Sequence, residues 1–564
     1  YTAIKAWFYL AHFDPYLLSG AASFPMGMPD LLEKRDGKYY LKHPLTERDA
    51  NRLVADAMYV CSQIVPAHRW GIPNDTSLAG SFVEVITTPF YHPILPLLID
   101  SDIAKVCQPN DALPSRFAYP ADATAQVVKG IDYYRETFAA NPQGMWPAEG
   151  SISEAAADIF AANGIKWICG DMHVLERSLP AGMDIAQPYH LKTPNGDLMI
   201  VFRETNLSDR IGFTYQRMQP AEAANDFLAE VLKFRPAENE PDRLLTVILD
   251  GENAWEWYEY DMDGKQFLKG MYENLTAARA TGEVTCVTPS EYIKGNPSRN
   301  IPAHPVSAMK EITKLWPGSW INANYDTWIG EKEENSAWEY LLQTRRDLEA
   351  SGLVQPNPSS PRPTEIIARA TWDAYESIYA AEGSDWFWWY GADQTAGAGD
   401  KPFEDAFFSH LRAVYHHAND AGANLTVPEF APILSSSKVE LQESGGVMAR
   451  SEILRTVRFI CEATERDVPD AIYIAGNLPA LSNWTPNTVR MYDDGTHGDA
   501  SAGDGIWTLE LQFPIGSEIQ YKYTNSGEPG VWQPSEEFAQ SNRAFTVEDG
   551  TDILVRHEEF GKRD

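Results

Sequence analysis

Across residues 1–290, short β-rich runs alternate with stretches of helical period, and no other feature restricts the fold so strongly. The helical stretches include DANRLVADAMYVCSQIV and ATAQVVKGIDYYRETFAA, where apolar residues recur every three or four positions. Between and after them fall SFVEVITTPF, IKWICGD, LMIVFRE and LLTVILDGE, which read as strands. Strands separated by helices pair in parallel, because a crossover of helix length is needed to return the chain to the same end of the sheet. The expectation is an α/β fold with a parallel sheet, open or closed into a barrel, whose chemistry collects at the C-terminal ends of the strands. SISEAAADIFAANG predicts a helix capped by Ser151, with Glu154 in a capping-box position and Gly164 as the stop.

Residues 291–434 read as mainly helical, in SAWEYLLQTRRDLEAS, EIIARATWDAYESIYAAEG and FEDAFFSHLRAVYHHAND. A polar, Gly/Ser-rich stretch at 435–450 predicts a linker. Beyond it the period changes to two, in TVRFICEAT, AIYIAGN, WTLELQF and IQYKYT. Residues 451–564 are therefore expected to form an antiparallel β-sandwich.

Charge and cysteine usage remove several functions. The chain of 564 residues carries 80 Asp plus Glu against 46 Lys plus Arg, a formal net charge of -34. Nucleic acid is repelled, since its binding depends on Lys and Arg neutralising phosphates. Anionic membranes are disfavoured likewise, and no apolar run reaches the ~18 residues of a membrane span. The five Cys are far apart with no CxxC pair, so neither a metal framework nor a disulfide scaffold is expected, and free buried thiols are. Aromatic residues make up 12%, which suits either stacking on sugar rings or a large core. The opening YTAIKAWFYLAHFDPYLL reads as the middle of a helix, so the sequence is expected to begin inside a longer natural protein.

Two stretches set a carboxylate among Trp and Gly. GMWPAEGSIS places Glu149 between a Trp-Pro turn and a helix start, and ILDGENAWEWY places Asp250 at a strand end. Glycoside hydrolysis needs such a pair, one acid to protonate the leaving oxygen and one carboxylate to attack or to activate water. From the residues alone a blander reading stays open, in which Glu149 caps a helix and Asp250 ends a strand.

VEVITTPFYHPILPLL, GMWPAEGSISEAAADIFAANGIKWICGD, ILDGENAWEWYEYD and AEGSDWFWWYGAD together resemble glycoside hydrolase family 57, nearest its amylopullulanase and α-amylase branch. The resemblance implies an incomplete (β/α)7 barrel over 1–290, with the helical region 291–434 completing the cleft. It also implies retention of configuration at α-glucosidic bonds. By motif, Glu149 is the implied nucleophile and Asp250 the implied general acid/base. Drying beside Trp255 and Trp257 is expected to keep Asp250 protonated. Arg203 and Arg210 are candidate cations for Glu149. Glu84, His92, Trp146, Arg203, Trp255, Asp385, Trp386 and Trp389 are implied to bind substrate, with Glu382, Trp320 and Trp328 as further candidates. For His92, Trp320 and Trp328 a structural role stays open. The family's first motif, a His-Gln-Pro run, is not found, and the match begins at WFYLAHFDP. A portion carrying one or two strands is therefore expected to be missing before it.

AIYIAGNLPALSNWTPNTVRMYDDG and IQYKYTNSGEPGVWQPSEEFAQSNRAF resemble a family 20 starch-binding module. By motif, Trp484 and Trp532 form a stacking platform, and Lys522 and Asn542 supply hydrogen bonds. In YDDGTHGDASAGDGIW, Asp493, Asp494, Asp499 and Asp504 are either calcium ligands or a plain acidic turn, at a spacing unlike an EF-hand. No cofactor is otherwise required. The expected function is a retaining, endo-acting hydrolase of α-1,4 bonds, with α-1,6 cleavage left open. Its expected partners are starch, glycogen or maltooligosaccharides, in an extracellular or periplasmic setting. A 4-α-glucanotransferase, a branching enzyme and a non-catalytic starch-binding fragment stay open as alternatives. A metal-dependent deacetylase would need an Asp/His/His cluster, which the sequence does not offer.

Overall fold

The alternation in the sequence is realised as a parallel arc. The computed structural model describes residues 2–13, 15–18, 30–69, 83–237, 240–251, 255–258, 260–261, 263–391, 400–434, 454–463, 471–514, 517–525, 527–532, 542–548 and 553–562. Contacts divide the chain into two compact units, Tyr1–Ala449 and Arg450–Asp564. The expected linker at 435–450 lies outside the described residues.

In the first unit a hairpin of β1 (Leu32–Arg35) and β2 (Lys38–Leu41) precedes a helix, Glu47–Arg69. The central sheet contains β3 (Gly144–Met145), β4 (Trp167–Asp171), β5 (Tyr189–Thr193), β6 (Gly196–Arg203) and β7 (Lys310–Glu311), in the order β3-β4-β6-β5-β7. β3, β4 and β6 are parallel, and β5 folds back on β6 as an antiparallel hairpin. Two single parallel bridges widen the arc, Thr87 to Met145 on one side and Arg203 to Thr246 on the other. SFVEVITTPF and LLTVILDGE thus contribute one bridge each, in place of the full strands their composition suggests. The result is the incomplete (β/α)7 barrel.

Alternation along each strand sorts side chains to two faces. Ile168, Ile200 and Phe202 pack outward with Ala156, Ala157 and Phe160 of the helix Glu154–Ala162, in one core that runs from Ile94 to Phe430. Trp167, Cys169, Met199 and Val201 take the other face and meet Ile86, Leu244 and Ile248 in the barrel interior. In the run after residue 243, Leu245, Val247 and Leu249 pack outward on a separate cluster. The same alternation puts Asp250 on the inward side.

The helix Glu154–Ala162 is capped by Ser153, whose side chain accepts the Ala156 N–H at 3.2 Å, and not by Ser151 as expected. Ser153 directly precedes the first helical turn, while Ser151 lies two residues earlier, next to the bridge of Ile152 to Gly318. The later helices Lys332–Ala350, Ile366–Ala381 and Lys401–Asp420 fall on the three predicted stretches. A buried bidentate pair fastens the first of them to the barrel helix Pro120–Phe138, with Arg345 Nε 2.6 Å and Nη2 3.1 Å from the Asp122 carboxylate.

The second unit has two sheets. One is β10 (Val489–Arg490), β9 (Tyr473–Gly476), β12 (Glu518–Thr524) and β13 (Arg543–Thr546); the other is β11 (Ile506–Pro514), β8 (Leu454–Glu462) and β14 (Leu554–Glu559). Val457, Phe459 and Cys461 of one sheet meet Ile474, Tyr521 and Tyr523 of the other in the core. Pairing is antiparallel except for β14, which returns parallel to β8. None of the five cysteines forms a disulfide; Cys107, Cys169 and Cys461 are buried and Cys61 and Cys286 exposed. Among the described residues no helix is long and apolar enough to cross a membrane.

Candidate active site

Glu149 follows β3 at the C-terminal end of the arc, in a short turn of Ala148–Gly150. Its backbone is left-handed, at φ 54° and ψ 29°. For a residue with a Cβ that conformation costs roughly 1–2 kcal/mol, so other contacts must hold it. Trp320 supplies two of them. Its backbone N–H donates to the Glu149 carbonyl at 3.1 Å, and its indole Nε1–H donates to Glu149 Oε2 at 2.9 Å. Gly150 follows at φ 59°, and a Cβ there would lie 3.1 Å from the Trp320 Cβ, so the turn and its clamp both need glycine. Trp146 meets the Trp320 ring edge-on at 5.0 Å and supports the clamp from within the core. Nothing in the sequence singled out Trp320 over its neighbours for this position.

Arg203 ends β6 and is buried. Its guanidinium lies 5.7 Å from the Trp320 ring centre, donates from Nε to the Ile248 carbonyl at 2.9 Å, and pairs with Asp209 at 2.6 Å. It therefore braces both carboxylate segments, the ring that holds Glu149 and the strand that leads to Asp250. Asp250 itself is half-buried at the end of that strand. Arg210, the other candidate cation, instead pairs with Asp226 at 2.9 Å on the helix Pro220–Leu232.

His92 lies just past the Thr87 bridge, also at the C-terminal end of the arc. Its Nδ1 is 3.0 Å from Ser384 Oγ, and the Ser384 N–H donates to its carbonyl at 3.1 Å. Gln126 ties these segments together. Its Oε1 accepts the Tyr91 N–H at 3.1 Å, while its Nε2 donates to the Tyr379 carbonyl at 2.9 Å and to Glu382 at 3.0 Å. The structure thus sets His92 beside the segment that carries Asp385. Asp385 opens to solvent, and desolvation by the surrounding protein raises its pKa.

Several expected sugar contacts are placed elsewhere. Glu84 sits at the N-terminal end of the arc, where its carboxylate accepts the Trp167 indole N–H at 3.0 Å and the Ser290 N–H at 3.0 Å. Trp167 begins β4, so Glu84 stands at the opposite end of the strand from Asp171. Trp255 packs with Tyr258 in the outer cluster around Phe267, so it does not dry Asp250 from the barrel side, and Trp257 is exposed. Glu382 is buried, and its carboxyl is pushed well above the usual range by desolvation and the Asp122 charge. It is a bracing group and reaches no solvent. Trp386 turns its Nε1–H back to the Ala380 carbonyl at 2.9 Å, and Trp389 stacks on Phe403 at 4.7 Å. Trp328 is fully buried.

In the second unit Trp484 and Trp532 lie 6.3 Å apart, ring planes tilted by 43°. The Asn487 side chain staples the two segments, donating to the carbonyls of Glu528 at 3.0 Å and Val531 at 2.9 Å. Lys522 is buried, and Asn542 donates to Gln520 at 3.1 Å. Oxygens of Asp493, Asp499 and Asp504 come within 4.8 Å of one another. The Asp493 carboxylate already accepts the backbone N–H groups of Gly503, Asp504 and Gly505, at 2.7, 3.1 and 3.1 Å. Asp494 stands outside this group and accepts from the Thr496 N–H at 3.0 Å.

A parallel arc with acids at its C-terminal end, and a separate β-sandwich with a stapled pair of tryptophans, is the build of a two-part polysaccharide-acting enzyme. Residues 74–307 match the family described as glycosyl hydrolase family 57, and residues 455–553 match the family described as starch binding domain. Residues 74–307 are thus a family 57 glycoside hydrolase domain and residues 455–553 a starch-binding domain. Among solved structures, a family 57 branching enzyme from the archaeon Thermococcus kodakaraensis is similar at 16% identity, over 68% of this chain and 74% of that one, with a TM-score of 0.48. An α-amylase from Thermotoga maritima is similar at 13% identity, over 66% and 73%, with a TM-score of 0.45. A family 20 carbohydrate-binding module of a maltotetraose-forming amylase from Pseudomonas saccharophila is similar at 20% identity, over 19% and 99%, with a TM-score of 0.14. No curated protein matches the chain in sequence.

Proposed function

We propose that the protein is a retaining, endo-acting α-glucan hydrolase that cuts α-1,4 bonds. The observation that carries this reading is the clamp on Glu149, an acid on a strained turn at the strand ends with an indole N–H on its carboxylate. A nucleophile has to be ionised and fixed in direction, and a hydrogen bond to the charged form serves both needs. Glu149 attacks the anomeric carbon as Asp250 protonates the leaving glycosidic oxygen. Asp250 then takes a proton from water, which opens the glycosyl ester and restores the original configuration. Both steps are exchanges between two carboxyls, sugar and water, and we assign them no cofactor.

We further propose that 1–290 forms the barrel and 291–434 the helical part that completes the cleft. His92, Asp385 and Arg203 support substrate there. The module residues Trp484, Trp532, Lys522 and Asn542 hold starch, glycogen or a maltooligosaccharide and raise its local concentration. A starch-binding module suits a polymer supplied from outside the cell, so the proposed location is extracellular or periplasmic. The test is reducing-end release from soluble starch by the parent chain and by Glu149→Gln. Release by the parent, and a loss on the order of 10⁴-fold in the variant, is the expected result. Equal release by both overturns the assignment of Glu149. Disproportionation of maltooligosaccharides without net release of reducing ends would move the reading to a glucanotransferase.

A further inference from the structure

We propose that Asp171 and His173 form a sugar-binding dyad at the barrel mouth, in which His173 Nε2 donates to a glucan hydroxyl. The inference rests on the reading of the barrel as an α-glucan cleft.

Asp171 is the last residue of β4 and is fully buried on the inward face, in register with Arg203. Its carboxylate is saturated. Oδ1 accepts the His173 backbone N–H at 2.9 Å and the His173 Nδ1–H at 2.7 Å. Oδ2 accepts the Thr205 hydroxyl at 2.7 Å, with Arg203 Nη1 3.8 Å away. The bond to a carboxylate requires the proton on Nδ1, which fixes the ring's orientation. The ring lies over an inward-facing carboxylate at the end of the arc that carries Glu149. Its side chain is 36% exposed, and Nε2 has no partner among the described residues.

An aspartate used merely to cap the helix Met172–Ser178 would need its bond to the His173 backbone alone. The second bond, to the imidazole, orders a side chain that is 36% exposed. Ordering a polar donor at the cleft end before substrate arrives lowers the entropy lost on binding. A glucan hydroxyl is a fitting acceptor, and the imidazolium makes the bond a charge-assisted one.

The groups that face His173 favour its charged form. The hydrogen bond that its Nδ1–H donates to Asp171 raises its pKa first, the charges of Asp171 and Glu176 add to this, and burial and Arg177 oppose it. Thr205 and Arg203 approach from β6 and the turn after it, but they act on Asp171. The donor form is present at low pH, so glucan binding should weaken as pH rises through the raised pKa.

The experiment measures maltoheptaose binding by calorimetry, in chains with Glu149→Gln to stop turnover and Trp484→Ala with Trp532→Ala to silence the module. His173→Ala and His173→Gln are added to that background. The proposal expects His173→Ala to bind about tenfold to a hundredfold more weakly. It expects His173→Gln, which keeps a donor, to recover part of the loss and to bind independently of pH between about 5 and 8. His173 is 36% exposed, so both variants should stay folded and melt within a few degrees of the parent. Equal affinity and an equal pH profile in all three overturn the dyad while leaving the cleft reading in place. No cleft binding in the background chain overturns both.

Discussion

Tryptophan is used in opposite ways in the two units. In the first, indole N–H groups are committed to protein acceptors: Trp167 to Glu84, Trp320 to Glu149, Trp316 to the Ala323 carbonyl, Trp338 to the Trp328 carbonyl and Trp386 to the Ala380 carbonyl. Each such bond avoids a desolvation penalty of about 1–3 kcal/mol for a buried donor. Among the fully or nearly buried tryptophans Trp167, Trp320, Trp328 and Trp338, only Trp328 has its N–H unpaired among the described residues. In the second unit Trp484 and Trp532 are half-buried, and their neighbourhood is fixed by backbone bonds from Asn487. These five indoles of the first unit therefore act as girders, two for carboxylates and three for backbone carbonyls, whereas Trp484 and Trp532 of the second unit stay half-buried beside each other. Richness in tryptophan says nothing about which use applies until burial and the N–H partner are known.

The comparison breaks most readily at the module. Trp484→Ala with Trp532→Ala should cut retention on granular starch by roughly 10²–10⁴-fold, because the gain from a tethered site is lost as a whole. Sedimentation with starch granules checks this. Retention at the parent level would mean the pair is a core feature like the others.

A second test strikes the frame of the first unit. Arg345 and Asp122 are both buried and bonded, so Arg345→Met leaves Asp122 without its cation. The loss should be about 3–5 kcal/mol. Scanning calorimetry should show the first unit melting earlier while the transition of the second is unmoved. A common shift of both would deny that the units unfold separately.

The third test separates the girder role from simple packing. Trp320→Phe keeps a ring in the core and removes the donor to Glu149. A hydrogen bond to a charged group is worth about 1.5–3 kcal/mol, so kcat on soluble starch should fall about tenfold to a hundredfold, with KM nearly constant. A change confined to KM would place Trp320 among the sugar contacts.

These particulars also show what was legible beforehand. The strands at 165–171 and 198–204 were readable because short apolar runs bounded by turn residues are local signals. The alternation of side chains along a strand carries Asp250 and Arg203 to the inner face. Glu84 was not readable in this way, because alternation assigns a face and leaves open which end of the barrel a side chain serves. Trp320 was hidden for another reason. Its partner lies 171 residues away, in a segment without helical or strand period. Glu382 was expected at the sugar because it sits in an aromatic, acidic stretch, yet it is buried and bonded to Gln126. Asp171 and His173 did leave a trace, a strand ending on an acid with a histidine two residues on, and it passed unweighed beside the longer motifs.

The smallest expected effect is in stability against pH, and it sharpens the same contrast from the side of histidine. His173 has a pKa raised above its ordinary 6.5, chiefly by its bond to Asp171. The unfolded chain lacks that bond, so the folded state binds the proton more tightly. This stabilisation is fully present below about pH 6.5 and is lost as pH rises through the raised folded-state value. Urea unfolding of the first unit should therefore show a midpoint that declines over that window. Solvent screening at a side chain that is 36% exposed keeps the decline slight. His173→Gln should flatten the decline, since its amide does not titrate there. A decline that persists unchanged in the variant would assign the proton to another group, and the Asp171 bond would then hold the imidazole equally well in either charge state.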